Sequence, residues 1–132
     1  ACFNDGSIRD WQRKSGGQFT LGKNFDATGG FGPDIVTPDE LPPGAAPLRI
    51  MTRVNGKVMQ DSNTDDLIFD VPTIIETISA GVTLRAGDII ATGTPVGVGI
   101  GFTPPKYLKD GDVVEIEIGG IGKLSNPVRS AS

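Results

Sequence analysis

The chain contains no histidine, a single cysteine and no apolar run longer than a few residues. Without histidine it lacks the side chain that titrates nearest neutral pH, and with it the Ser–His and Cys–His nucleophile pairs. Catalysis must therefore draw on carboxylates, lysine, a metal, or groups supplied from elsewhere. One cysteine cannot form an internal disulfide, which fits a reducing, cytoplasmic setting. Short apolar runs exclude a membrane-spanning helix, and the first residues have neither the charged nor the apolar region of a secretory signal. There is no paired CxxC for thiolate-bound zinc and no GxxxxGK[ST] loop for nucleotide phosphates. The net charge is −4, and the basic residues do not gather into a stripe. Neither nucleic acid nor membrane is expected as a partner.

What is present is a chain of 132 residues, 37% hydrophobic, with 19 glycines and 10 prolines. That length suits one domain over residues 1–132. The glycine and proline content marks it as rich in turns, and the apolar runs between them read as short strands. No internal repeat is visible.

Residues 1–4 read as the end of a buried strand. Ser7 follows a glycine and is placed to cap a helix over 8–14, with Asp10 adding favourable charge in its first turn and Ser15-Gly16-Gly17 ending it. On that helix Ile8 and Trp11 share one face, while Arg9 and Gln12 share the next and project together toward whatever Asp5 faces. Residues 26–33 read as a flexible loop, 35–36 as a short strand and 37–40 as a proline turn. From 48 to 54, Leu48, Ile50, Thr52 and Val54 alternate with Arg49, Met51 and Arg53, as in a half-buried strand. Asn55-Gly56 then predicts a type I′ hairpin turn, with 57–62 returning antiparallel.

Asn63 or Thr64 can cap a short turn through 65–67. A second helix is expected over 72–80, opened by Pro72, ended by Gly81 and offering Ile74, Ile75 and Ile78 to the core. Residues 84–88 turn into a buried strand at 89–91, 93–101 form a glycine-rich loop, and 113–118 and 121–124 make a final strand pair. The expected class is α+β, mostly β, with two short helices.

The chemically able side chains concentrate near the start. Asp5 lies between a strand end and a helix start. It suits either a hard cation such as Mg²⁺, Mn²⁺ or Ca²⁺, or a turn carboxylate. Lys23, between Leu21 and Phe25, is either a surface lysine on a short strand or a desolvated one that binds an anion or moves a proton. Arg9 and Gln12 could equally be a solvated helix face. The 92–99 loop, with Thr94, could offer backbone N–H groups to an anion or be a tight connection. Glu115 and Glu117 point to one side of an alternating strand, which reads as a solvated β face.

The spacing of these residues resembles one family closely. Its pattern is matched by Asn4-Asp5-xxx-Arg9-Asp10-x-Gln12, Leu21-Gly22-Lys23-Asn24-Phe25 and Gly32-Pro33-x-Ile35-Val36-Thr37. It continues in Val54-Asn55-Gly56, Gln60-Asp61-x-Asn63-Thr64-x-Asp66-x-Ile68-Phe69, the run from Gly87 through Thr94 to Gly99, and Leu108-Lys109-x-Gly111-Asp112. These motifs resemble the fumarylacetoacetate hydrolase family, in family order and over nearly the whole chain.

The resemblance implies mixed β-sheets rolled around a metal site, in a homodimer. It implies a divalent ion, Mg²⁺ or Mn²⁺ with Ca²⁺ as an option, held by three carboxylates of which Asp5 would be one. The other two belong to a Glu-x-Glu strand that precedes this segment in the family, as does a lid carrying a His–Glu pair. An absent N-terminal segment or chain is thus expected to complete the site. Arg9, Gln12 and Thr94 match substrate-contacting positions, and Lys23 matches the active-site lysine. The implied substrate is a small 2-oxo acid. The leading activity is hydrolysis of a C–C bond in acylpyruvate-type acids through a stabilised enolate. The alternatives are isomerisation or decarboxylation of related dioic acids, or an inactive fragment.

Overall fold

A computed structural model describes residues 1–14 and 16–130. Its backbone is the alternating pattern made visible. Strand β3 (Arg49–Val54) turns at Asn55 and Gly56 into β4 (Lys57–Asn63). Both turn residues have positive φ, 51° and 77°, as a type I′ turn requires. Strands β5 (Val113–Ile118) and β6 (Gly122–Pro127) form a second hairpin. The two hairpins join into one antiparallel sheet of order β4-β3-β5-β6. A second, two-stranded antiparallel sheet pairs β1 (Cys2–Asn4) with β2 (Gly30–Gly32). It contacts β5 and β6 at the edge of the larger sheet. The core lies at this junction, where fully buried Cys2 packs with Val114, Ile116 and Leu124. Burial raises the Cys2 thiol above its ordinary pKa.

The other side of the large sheet is charged. Arg49 pairs with Asp61 (2.6 Å) and Arg53 with Glu117 (2.8 Å), while Lys123 pairs with Glu115. This is the solvated face that alternation predicts. Met51 is buried there, lying in register between Asp61 and Glu117 on the flanking strands.

The α+β, strand-dominated class is what the chain shows, with three short α-helices among the described residues rather than two. They are α1 (Arg9–Lys14), α2 (Thr20–Lys23) and α3 (Val71–Ser79). Several local expectations are corrected. Helix α1 begins at Arg9, and Ser7 does not cap it: its hydroxyl donates to the Asp5 carbonyl and closes the turn after β1 (3.3 Å). Ser15, expected among the stop residues, lies outside the described residues. Lys23 ends a helix rather than sitting on a strand. The 26–33 loop contains β2, since a glycine-rich backbone can still pair with a neighbour.

Residues 35–36 form no strand, and Ile35 is exposed between prolines 33 and 38, with no strand alongside it among the described residues. Residues 89–91 form none either, and Ile89 is exposed, because no strand lies alongside to pair with it among the described residues. Helix α3 is capped by Asp70, which accepts from the Thr73 N–H (2.9 Å), so Pro72 is not its first residue and Ala80 rather than Gly81 is its C-cap. Its isoleucine stripe is not core. Ile75 is 44% exposed and no residue of the helix is buried, as the helix rests on the turn Pro43–Ala45.

Candidate functional site

Strand β1 ends at Asn4, and the chain turns at once. The Gly6 N–H donates to the Asn4 carbonyl (2.7 Å), which leaves Asp5 at the apex of the turn. The Ile8 N–H then donates to the Gly22 carbonyl (2.9 Å), tying the start of α1 to α2. Gly22 makes this contact possible. A Cβ there would fall 2.7 Å from Gln12 Cβ and 2.9 Å from its backbone nitrogen. The two helices touch backbone to backbone, so Lys23, the next residue, is carried to the mouth of the turn.

There the Lys23 ammonium donates to Asp5 Oδ2 at 2.5 Å. Both side chains are partly open to solvent. On α1 the Arg9 Nη1 donates to Gln12 Oε1 at 2.5 Å, and Gln12 is only 5% exposed. Arg9 and Gln12 therefore do share a face, as their three-residue spacing implies. Trp11 meets the Phe25 ring edge-on at 5.5 Å between centroids, and Lys14 lies over Trp11. These contacts pin α1 to the segment leading into β2.

Thr94 is held by a different set of contacts. Its hydroxyl accepts from Gln60 Nε2 (2.8 Å), which also donates to the Pro95 carbonyl (2.8 Å). Together with Thr92, Gly93 and Pro95 it borders a shallow groove beside Ile50 and Asn63. Gly97 seals this junction, since a Cβ there would fall 2.1 Å from the Met59 carbonyl oxygen. Asp5, Lys23, Arg9 and Gln12 thus form one corner, while Thr94 is held through Gln60 beside the groove at Ile50 and Asn63. Gln60 is a site-bordering residue that the sequence reading did not single out, although it sits inside one of the matching motifs.

The donor set does not by itself fit a divalent metal. Among the described residues, no group of three or more His, Cys, Asp or Glu side chains could hold an ion. Asp5 is a single carboxylate already engaged by an ammonium. Glu115 and Glu117 are engaged by Lys123 and Arg53 on the charged sheet face. Among the described residues, no helix is long and apolar enough to cross a membrane.

Comparison with known proteins completes the picture. The family model for the C-terminal part of fumarylacetoacetate hydrolase matches residues 1–129. The chain is 49% identical over 125 residues to the oxaloacetate tautomerase YisK of Bacillus subtilis, covering 95% of this chain and 41% of that protein. Its fold matches a fumarylacetoacetate hydrolase from Exiguobacterium antarcticum at TM-score 0.92 and 48% identity, over 98% of this chain and 46% of that one. It also matches a 5-carboxymethyl-2-hydroxymuconate delta-isomerase from Mycobacterium smegmatis at TM-score 0.84 and 45% identity, over 96% of this chain and 46% of that one. The chain spans less than half the length of these relatives. It belongs to the fumarylacetoacetate hydrolase family.

Proposed function

We propose that this chain is part of an enzyme that interconverts the keto and enol forms of a small 2-oxo acid, with Lys23, Arg9, Gln12 and Thr94 as substrate-binding residues. The observation that carries this reading is the half-open Lys23–Asp5 pair at the end of β1. An ammonium has three N–H donors, and Asp5 takes one of them. The others can reach a substrate oxygen. When a base supplied from outside this segment takes the proton from the carbon beside the ketone, negative charge gathers on that oxygen, and a fixed cation stabilises it. Returning the proton to oxygen, or to a different carbon, completes a tautomerisation or an isomerisation. No water is consumed and nothing is oxidised.

The remaining residues orient the substrate. Arg9 is held by Gln12 through one of its five N–H groups, and the rest of its fork suits a carboxylate. Thr94 accepts from Gln60, so its own O–H is left to donate to an acceptor on the substrate. The tautomerase and isomerase named among the relatives support this reading; C–C hydrolysis, the activity in the name of the Exiguobacterium antarcticum match, would need an activated water as well. A divalent metal and a homodimer are part of the same proposal. Asp5 would be one metal ligand, and the remaining carboxylates would come from outside this segment.

The test uses the full-length protein with oxaloacetate, following the decay of its enol absorbance. Accelerated enol–keto exchange is expected, lost in Lys23→Met. Rapid release of pyruvate from an acylpyruvate, with no effect on oxaloacetate, would make the protein a hydrolase instead.

A further inference from the structure

Asp5 owes its position to a residue at the opposite end of the chain. The Asn4 side chain donates from Nδ2 to Asn126 Oδ1 at 3.1 Å, across 122 positions of sequence. Asn126 lies on β6, and both residues are half-buried. The same carboxamide lies against Gly30, the partner of Asn4 in the β1–β2 ladder. A Cβ at Gly30 would fall 2.5 Å from Asn126 Oδ1 and 2.7 Å from Nδ2. The Asn126 side chain is thus gripped between the Asn4 amide and bare backbone. Asn4 is held twice, by its side chain to β6 and by its carbonyl to the Gly6 N–H (2.7 Å). Asp5 lies between those two anchors.

We propose that Asn126 is a positioning residue that holds Asp5 in register with Lys23, acting through Asn4 and through the space left by Gly30. Its catalytic consequence rests on the tautomerase reading above; its effect on the Asp5–Lys23 pair does not. A half-buried acceptor for Asn4 does more than fill volume, because leaving the Asn4 amide without a partner favours a different side-chain conformation. The turn then moves with it. Displacements of about 1 Å at a reacting centre cost rate on the order of 100-fold.

The experiment compares Asn126→Asp, which keeps the acceptor, with Asn126→Leu, which keeps the size and loses it, in the full-length protein. Labelling of Lys23 by an amine-reactive reagent, read by peptide mass spectrometry, reports the pair directly and independently of turnover. Lys23 labelling should rise severalfold in Asn126→Leu, as in Asp5→Ala, and stay near wild type in Asn126→Asp. In the enol–keto assay, kcat should fall about 10- to 100-fold in Asn126→Leu with KM within about twofold. Asn4→Ala should reproduce this effect, and the Asn4→Ala, Asn126→Leu double variant should be no worse than either alone. Melting temperatures identify any variant that fails to fold, and Asn4→Ala then stands in for it. Unchanged Lys23 labelling in folded Asn126→Leu or Asn4→Ala overturns the positioning role. Raised labelling in Asn126→Leu and Asn4→Ala, beside a wild type that turns over no 2-oxo acid, would keep the positioning role and sink the tautomerase reading.

Discussion

The four-stranded sheet and the polar corner beside it are held by different kinds of contact. In the sheet, β3–β4 and β5–β6 are hairpins whose register follows from local turns and alternation, and their inward residues Val114, Ile116 and Leu124 form most of the core. In the corner, β1 and β2 are three residues long and α2 is four. Such elements have little stability of their own. They are kept in place by single hydrogen bonds, by two glycines that permit close approach, and by contact with the sheet edge. Stability is concentrated in the regular part and chemical capacity in the irregular part, as expected where a rigid scaffold carries a site on loops.

Substitutions that split the two regions test this contrast, all in the full-length protein. The largest effect is expected on turnover. Asp5→Ala should lower kcat/KM by about 100-fold or more with little change in melting temperature, a loss typical of a displaced acid–base or charge-bearing group. Glu117→Ala on the charged sheet face should stay within about twofold. Equal losses would show that the corner is not the site. Next comes Ile116→Ala, which should cost about 2–5 kcal/mol in denaturant unfolding by opening a cavity in the core, with kcat preserved below the transition. Gly22→Ala should affect both regions. The new methyl meets the Gln12 backbone, so about 1–3 kcal/mol of strain is expected along with weakened turnover. A Gly22→Ala enzyme with wild-type kcat would mean that the closeness of α1 and α2 has no bearing on Lys23.

Acid titration gives a smaller signal and falls on carboxylates outside the corner. Asp112 is held below its ordinary value of 3.8 by the Asn55 amide and the Lys109 N–H, and Asp70 is held below it by Thr73. Arg53 likewise lowers Glu117. Each of these groups binds its proton more weakly folded than unfolded. The stability they contribute is therefore complete above the ordinary carboxylate range and drains away as pH falls through the lowered folded values. Thermal unfolding from pH 6 to pH 3 should show that decline, and Asp112→Asn should flatten it. The smallest effect is expected for Arg49→Ala. Its pair with Asp61 is exposed, and the melting temperature should stay within experimental scatter.

How much of this was legible in the sequence follows the same division. Alternation and Asn55-Gly56 located β3, β4 and their turn to within a residue, because those signals are local. The three-residue spacing of Arg9 and Gln12 correctly implied that they meet. Apolar runs were less informative. The stretch at 89–91 looks like a buried strand, yet no ladder forms there among the described residues, and the isoleucine stripe of α3 is amphipathic without being buried. An apolar pattern says that a face is sticky, not what will cover it. The pairing of Lys23 with Asp5 had no local signal, since Lys23 sits on a helix one turn long whose placement depends on Gly22 meeting Gln12. The contacts of Gln60 and Asn126 were equally silent, although Gln60 stands in one of the family motifs, because their partners lie 34 and 122 positions away.

The bond between Asn4 and Asn126 also has a consequence for how this protein is made. A ribosome adds about 5–20 residues per second, so the residues of β6 follow those of β1 by roughly 6 to 24 seconds. Throughout that interval Cys2 has no Leu124 to pack against and Asn4 has no acceptor. The first residues of this stretch to be synthesised are among the last to reach their final geometry, and the corner that carries the chemistry is assembled only when the closing strand arrives.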